Sequence, residues 1–426
     1  MDSTLYDAII IGGGPGGSST ASFLGRAGRR ALVLEKEHFP RFHIGESLLP
    51  YNQMLFREMG VLPAVEAAGF PRKVGAQFHI GNGSKALKLV FRNGAWTRET
   101  STFQVERAKL DHILLKHAAA CGAEVREGWT VTKYSNDSSG VCVSARSDKG
   151  ETATFRGSFL VDASGRGNLT GNNEGMRIIH NGLKKIAIFG HFEKVKLDPG
   201  EPAGDTVIVR LEDKWVWIIP VSPTKTSVGV VMDQEDFASA RKTPAEVFHH
   251  TLGLSAILQE RMQEAKQLGN IETTSDFSYH NRQFVGPRLI RVGDAAGFMD
   301  PIFSAGVYLA TYSGKMAAGI IDKALARNSD GRAMLAKYEK DFFRAMKFYW
   351  DMVEAYYTTP FMELFVQPRG RYRIPDAIVA LLAGELNGGW KIAWRLRMFY
   401  LLVKIQRYWP LVPRVSFSNT VPRRAA

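Results

Sequence analysis

The chain has 426 residues, 45% hydrophobic and 23% charged, with 41 Gly and 18 Pro. This ordinary usage excludes a collagen-like, coiled-coil or disordered protein and allows a core large enough to enclose a cofactor. The formal charge is +13; eight basic residues and no acidic one follow from Lys391 onward, leaving +5 for the first 390. Two cysteines, Cys121 and Cys142, are too few for a disulfide framework or a cysteine-based zinc site, and imply a reduced, cytoplasmic setting with no metal. No secretory signal is read, and no run of about 18 uncharged apolar residues is present to span a bilayer.

Residues 6–11 are a β-branched apolar run, which predicts a buried strand. A glycine turn at 12–17 and a helix of small residues from 18 follow, closing near Gly28. Residues 31–34 predict a second buried strand ending at Glu35, completing one βαβ unit. Residues 39–50 read as a polar loop, 52–70 as helix and 74–90 as strands. Residues 107–121 predict an amphipathic helix with Leu110, Ile113, Leu114 and Ala118 on one face. The runs 123–125, 131–134 and 141–145 look like a small sheet, and 158–163 like a buried strand. Several strands are expected from 178 to 233, with 215–220 and 227–232 as one hairpin. The acids at 233–236 read as a surface turn, and His249-His250 as a solvated pair on a polar helix. Residues 289–293 predict another buried strand ending at Asp294, with a small-residue helix from Gly306. Beyond about 322 the pattern is helical and aromatic.

Gly12-x-Gly14-x-x-Gly17, with Pro15 and Gly16 inside it, has the spacing a pyrophosphate needs: a tight turn, close backbone approach, and a helix N-terminus facing the anion. Glu35, 18 residues after Gly17 at the end of the next strand, suits ribose hydroxyls and repels a 2′-phosphate, which favours FAD or NAD. Leu-Ile-Arg-Val-Gly-Asp-Ala-Ala at 289–296 resembles the second FAD motif of the flavoprotein hydroxylase superfamily, in which the aspartate, here Asp294, binds the ribityl chain. Arg107 resembles that superfamily's pyrophosphate arginine, and Asp162 lies in a match to its middle strand. The resemblance implies an α/β fold: a discontinuous Rossmann-like FAD-binding domain (1–75, 105–175, 280–325), an inserted, mostly antiparallel substrate-side sheet (76–104, 176–279) and a helical C-terminal region (326–426). Lys36, Arg41, Ile44, Gly45, Glu46, Ser47, Pro301, Gly306 and Val307 are the further cofactor-binding residues it implies.

Three segments narrow the chemistry: Phe-Pro-Arg-Phe-His-Ile-Gly-Glu-Ser-Leu-Leu-Pro at 39–50, Lys-Trp-Val-Trp-Ile-Ile-Pro at 214–220, and Asp-Pro-Ile-Phe-Ser-Ala-Gly-Val at 300–307. Together they resemble the flavin-dependent halogenases, in particular the shorter branch acting on pyrrole, phenol or acyl groups often tethered to a carrier protein. The resemblance implies that FADH2 and O2 convert chloride or bromide to hypohalous acid. A separate flavin reductase is then required, because no second glycine motif suits a nicotinamide. Lys73 matches the family's relay lysine, acting either as an ammonium that polarises hypohalous acid or as an amine that forms a haloamine. Trp215 and Trp217 project to one side of a strand and would wall off the flavin. Backbone N–H groups of Ala305 and Gly306 would hold the halide; relatives usually carry Ser or Thr at the Ala305 position. Phe303 stands where tryptophan halogenases carry a glutamate, which argues for another substrate. His43 reads as a loop histidine.

A monooxygenase, dehydrogenase or reductase on the same scaffold is the alternative, favoured by Ala305; a flavin-binding protein without turnover is the third reading. The basic C-terminal segment suits an acidic carrier helix, with an anionic membrane as competitor. No nucleic-acid motif accompanies its charge.

Overall fold

Leu5–Ile11 has no charged side chain to place except Asp7, and its apolar run is buried on both faces between two parallel neighbours, Ala31–Leu34 and Thr152–Asp162. In the computed structural model, which describes residues 5–385 and 389–417, this strand is the centre of an eight-stranded sheet. Glu124–Arg126 extends the sheet in parallel beyond Ala31–Leu34, and Leu289–Arg291 beyond Thr152–Asp162. Trp129–Asn136 and Val141–Ser147 form a hairpin joined antiparallel to the start of Thr152–Asp162. The small sheet expected over 123–145 is part of this larger one: its first run extends the parallel strands, and the other two form the hairpin. Helix Pro15–Arg26 packs between Arg107–Ala120 and Gly306–Ala326. Its run of Gly, Ser and Ala lets the neighbouring backbones approach closely.

A second eight-stranded sheet runs Gly297–Phe298, Lys266–Asn281, Arg177–Glu193, Thr226–Asp233, Trp215–Pro220, Thr206–Arg210, Gly75–Ile80 and Ala86–Val90. Only Thr206–Arg210 and Gly75–Ile80 pair in parallel. Alternation with period two splits its side chains between two cores. Ile186, Ile188, Val216, Ile218, Val228 and Val230 meet helices Pro244–Leu252 and Ala256–Met262. Phe189, Ile208, Trp215, Trp217 and Ile219 face the main core, shared with the C-terminal helices Arg332–Tyr356, Thr359–Phe365, Ile374–Leu382 and Gly389–Tyr408.

The expected helix at 52–70 breaks at Gly60, which takes a left-handed φ of 91°, into Tyr51–Met59 and Leu62–Glu66. The expected turn at 233–236 is instead the start of helix Gln234–Ala240, with Glu235 and Asp236 in its first turn, where the helix dipole favours acids. Of the basic residues after Lys391, Arg423 and Arg424 lie outside the described residues.

Candidate active site

The parallel strands end in one row at Leu34, Ile11, Asp162 and Arg291. A cavity of about 660 Å³ opens beyond that row, where open α/β sheets place their ligands. Gly12 turns the chain with φ +99°, and a Cβ there would come within 2.5 Å of the Ala163 carbonyl oxygen. A Cβ on Gly17 would meet the Gly12 carbonyl oxygen at 1.9 Å, so Gly17 serves helix-to-turn packing and lies beneath the wall. Gly14 is different. A Cβ there would meet nothing closer than Arg41 Nη2 at 3.7 Å, and the residue lines the cavity with Gly12, Pro15 and Gly16. The first N–H groups of helix Pro15–Arg26 have no partner within the helix and face this space.

The Glu35 carboxylate accepts from the N–H of Gly13 at 2.6 Å and of Glu37 at 2.9 Å. It thereby fixes the glycine turn while bordering the cavity beside Lys36. Across the entrance, Asp111 accepts from Arg107 Nε at 2.8 Å and Nη2 at 2.9 Å, and from Arg41 Nη1 at 2.9 Å. Burial alone would raise the Asp111 carboxyl, but Arg107, with Arg41, holds it below the usual carboxylate range. Arg107 Nη1 also donates to the Ile44 carbonyl at 2.9 Å and so clamps the 43–47 segment. His43 is pushed down to about 3 by burial and by Arg107, which keeps it neutral. Glu46 of that segment accepts through Oε1 from Nε2 of His191, on strand Arg177–Glu193, at 2.8 Å. Glu46 Oε2 is buried with no partner among the described residues. Asp294 borders the cavity as well; burial pushes its carboxyl up to about 6, against the pull of Arg166 and Arg107.

Asp162 is not on the wall. Its carboxylate accepts from the Ser164 N–H at 3.0 Å and from the Thr170 N–H and hydroxyl at 2.8 and 2.6 Å. It shapes the 163–167 turn, whose residues do line the cavity. The open face at Gly14, the unpaired helix N–H groups and the orphaned Glu46 oxygen together fit a cofactor that carries phosphates and a hydrogen-bonding ring.

Trp215 and Trp217 close the far wall, their ring centroids 5.8 Å apart and tilted by 50°. Trp217 Nε1 donates to Ser227 Oγ at 3.1 Å, and Trp215 Nε1 to Tyr357 Oη at 2.9 Å. Gly229 stands opposite Trp217 on the next strand, and a Cβ there would come within 2.1 Å of the indole. Asp300 caps the short turn Pro301–Phe303, accepting from the Ile302 N–H at 3.1 Å. Ser304 then takes a left-handed φ of 57°, and helix Gly306–Ala326 starts with Ala305 as its N-cap residue. Pro301, Gly306 and Val307 line the cavity. A Cβ on Gly306 would meet nothing within 4 Å, so this helix start is open to a small anion. The Ala305 side chain and the Phe303 ring are instead buried in the core, Phe303 edge-on to Tyr356 at 5.7 Å.

Lys73 is 2% exposed and sits one layer behind the wall. Its Nζ donates to Ser47 Oγ at 2.8 Å and to the Leu48 carbonyl at 3.1 Å. Ser47 Oγ is 2.9 Å from Thr206 Oγ1, and both residues face the cavity. Burial pushes Lys73 down to about 7, against the attraction of Asp205. Sequence reasoning missed Thr206, His191 and Tyr357. Thr206 opens a readable strand, but nothing in the sequence announces that its hydroxyl meets Ser47.

A family described as FAD binding domain matches residues 5–346. The chain is 32% identical over 408 residues to a 1H-pyrrole-2-carbonyl-[peptidyl-carrier protein] chlorinase of Pseudomonas fluorescens, covering 90% of each chain. It is 34% identical over 327 residues to the corresponding brominase of Pseudoalteromonas luteoviolacea, covering 76% of this chain and 79% of that one. The solved structure of the flavin-dependent brominase Bmp2 superposes with a TM-score of 0.84 at 29% identity, covering 95% of this chain and all of that one.

Proposed function

The chain belongs to the flavin-dependent halogenases, an FAD-dependent enzyme family, and from that premise we propose how its site delivers halogen. Reduced FAD, when bound, would share with chloride or bromide the reduction of O2, so that one oxygen atom leaves as water and the other is carried off in hypohalous acid. The Gly12–Gly16 turn holds the pyrophosphate, Glu35 and Lys36 the ribose, and Asp294 the ribityl chain. The 44–47 segment, Pro301, Gly306 and Val307 hold the flavin ring. Backbone N–H groups of Ala305 and Gly306 take the halide. Trp215 and Trp217 keep water and organic substrate from the oxidising centre.

Lys73 receives the hypohalous acid across Ser47. With its affinity for a proton lowered to near neutrality, it acts in either of two ways. As an ammonium it donates a hydrogen bond that makes the halogen more electrophilic. As an amine it exchanges N–H for N–halogen and releases water, then gives the halogen to an aromatic carbon and regains a proton. The observation that carries this reading is the 2.8 Å bond from the buried Lys73 Nζ to a hydroxyl on the cavity wall.

The acceptor is an electron-rich aromatic, pyrrole or phenol, or an activated acyl group. A carrier-tethered pyrrole is favoured by the substrates named for the two relatives. A separate reductase supplies the reduced flavin. The helix Gly389–Tyr408 presents Lys391, Arg397, Lys404 and Arg407 outward beside Trp390 and Tyr408, 73% and 82% exposed. This face suits an acidic, partly apolar carrier helix. Arg395 is not part of it: it lies over the Trp96 and Trp394 rings and donates to the Tyr372 carbonyl.

Trapping of free hypohalous acid with monochlorodimedone tests the relay. Wild type and Lys73→Ala should both give halide-dependent trapping, and only wild type should halogenate a pyrrole. Equal pyrrole halogenation by the variant would remove Lys73 from the mechanism.

A further inference from the structure

We propose that Tyr357 is a positioning residue that ties the tryptophan wall to the halide loop through one hydroxyl. Tyr357 caps the C-terminal end of helix Arg332–Tyr356, outside both sheets. Its Oη accepts from Trp215 Nε1 at 2.9 Å and donates to Asp300 Oδ2 at 2.6 Å. The direction is fixed by chemistry. An indole N–H can only donate, so the tyrosine oxygen accepts there and its single proton goes to the carboxylate. A hydrogen bond onto a carboxylate is of the strong, charge-assisted kind.

The two ends of this bridge are both cavity-lining residues. At one end Trp215 is half of the aromatic wall. At the other, Asp300 is the first residue of the loop that leads through Ser304 to the Ala305–Gly306 helix start. Asp300 is almost wholly buried, its second oxygen holds the Ile302 N–H at 3.1 Å, and its own N–H donates to Ser278 Oγ at 3.1 Å. With Tyr357 in place, Asp300 is held at its backbone N–H and at both carboxylate oxygens.

The ring itself is held by charge. Lys185 Nζ lies 4.0 Å from its centroid and the Arg210 guanidinium carbon 5.4 Å, with the Tyr356 ring edge-on at 5.6 Å. Cations over an aromatic face fix it without using its hydroxyl. The hydroxyl is therefore free to set the spacing between the wall and the loop. That spacing decides whether a halide on the loop lies under the wall or is reached by water.

This inference rests on the reading of residues 300–306 as the halide loop, and the test separates the two. Tyr357→Phe keeps the ring on Lys185 and Arg210 and removes only the bridge. In FAD-loaded protein, halide affinity is read from the change in flavin absorption on titration with chloride or bromide. The KM for halide, kcat, peroxide release and thermal midpoint are measured beside it. The expected result is a halide affinity and KM weakened about tenfold, more peroxide per product, and a midpoint within a few degrees of wild type. Trp215→Phe, which removes the same bond from its other end, should weaken halide affinity in the same direction even if Tyr357→Phe fails to fold. A Tyr357→Phe protein with wild-type halide affinity overturns the proposal, as does a loss of stability and kcat together with halide affinity unchanged. A wild-type flavin spectrum indifferent to halide overturns the halide-loop reading and this inference with it.

Discussion

Lys73 and Ser47 meet Nζ to Oγ at 2.8 Å, and it is Ser47, not Lys73, that faces the cavity. The lysine is thus separated from the cavity by a hydroxyl that Thr206 also holds, and that pair is what an oxidant coming from the cavity meets first. Ser47→Ala opens this layer while leaving the Leu48 carbonyl as a partner for Lys73. Pyrrole halogenation should fall about tenfold, with reduced-flavin oxidation unchanged, as measured by product and oxygen uptake together. Lys73→Ala should cost at least about 100-fold, the scale of a lost proton-transfer or relay group.

The burial of Lys73 also predicts a pH dependence of stability. Its folded value is about 7 against an ordinary 10.5. Between roughly pH 7 and 10 the unfolded chain keeps a proton that the folded chain has lost, so this group's contribution to stability rises with pH there and is flat below pH 7. Wild type should gain on the order of 3 kcal/mol relative to Lys73→Met across that window. Denaturant unfolding of both proteins at pH 6, 7, 8.5 and 10 measures it; parallel curves would contradict a desolvated amine.

Gly229 leaves room for the Trp217 indole, which a Cβ would approach to 2.1 Å. Gly229→Ala should displace that ring, destabilise the protein by about 1–3 kcal/mol, and raise peroxide release per product. Calorimetry and a peroxide assay read the two effects separately. An unchanged peroxide yield would mean that the wall does not guard the oxidant.

Glu35 anchors the glycine turn through the Gly13 N–H. Glu35→Gln should weaken FAD binding about tenfold in a flavin-fluorescence titration while leaving halide dependence intact, because a neutral amide replaces a charge-assisted acceptor.

Replacing Lys391, Arg397, Lys404 and Arg407 together by alanine should lower turnover of a carrier-tethered substrate at low salt, with little effect on a free pyrrole. Equal turnover across ionic strength would remove the carrier from this face. Loss of liposome binding instead would assign the face to a membrane.

The α/β fold was legible because its signals are local. The β-branched runs before Gly12 and before Asp294 make buried strands, and 215–220 with 227–232 alternates as a hairpin should. The failures were also local but misjudged. Acids at 235 and 236 mark a helix start as readily as a turn, and while Arg107 was readable as a cofactor-side residue, nothing in the sequence showed that Asp111 would accept from Arg107 and Arg41 together. Tyr357 could not be read at all. It is 142 residues from Trp215 and 57 from Asp300, and one tyrosine in an aromatic helical region carries no sign of its partners. The Lys73–Ser47 contact lay just as deep, since both motifs were visible and their meeting was not.

The most direct test supplies FAD, a flavin reductase, NADH and O2 with a pyrrolyl group on a carrier protein, in chloride, in bromide and in neither. Intact-mass spectrometry of the product is compared for wild type and Lys73→Ala. A halogen isotope pattern should appear only with halide and only with Lys73. Halogenated product from Lys73→Ala, or an oxygenated product formed without halide, would contradict it.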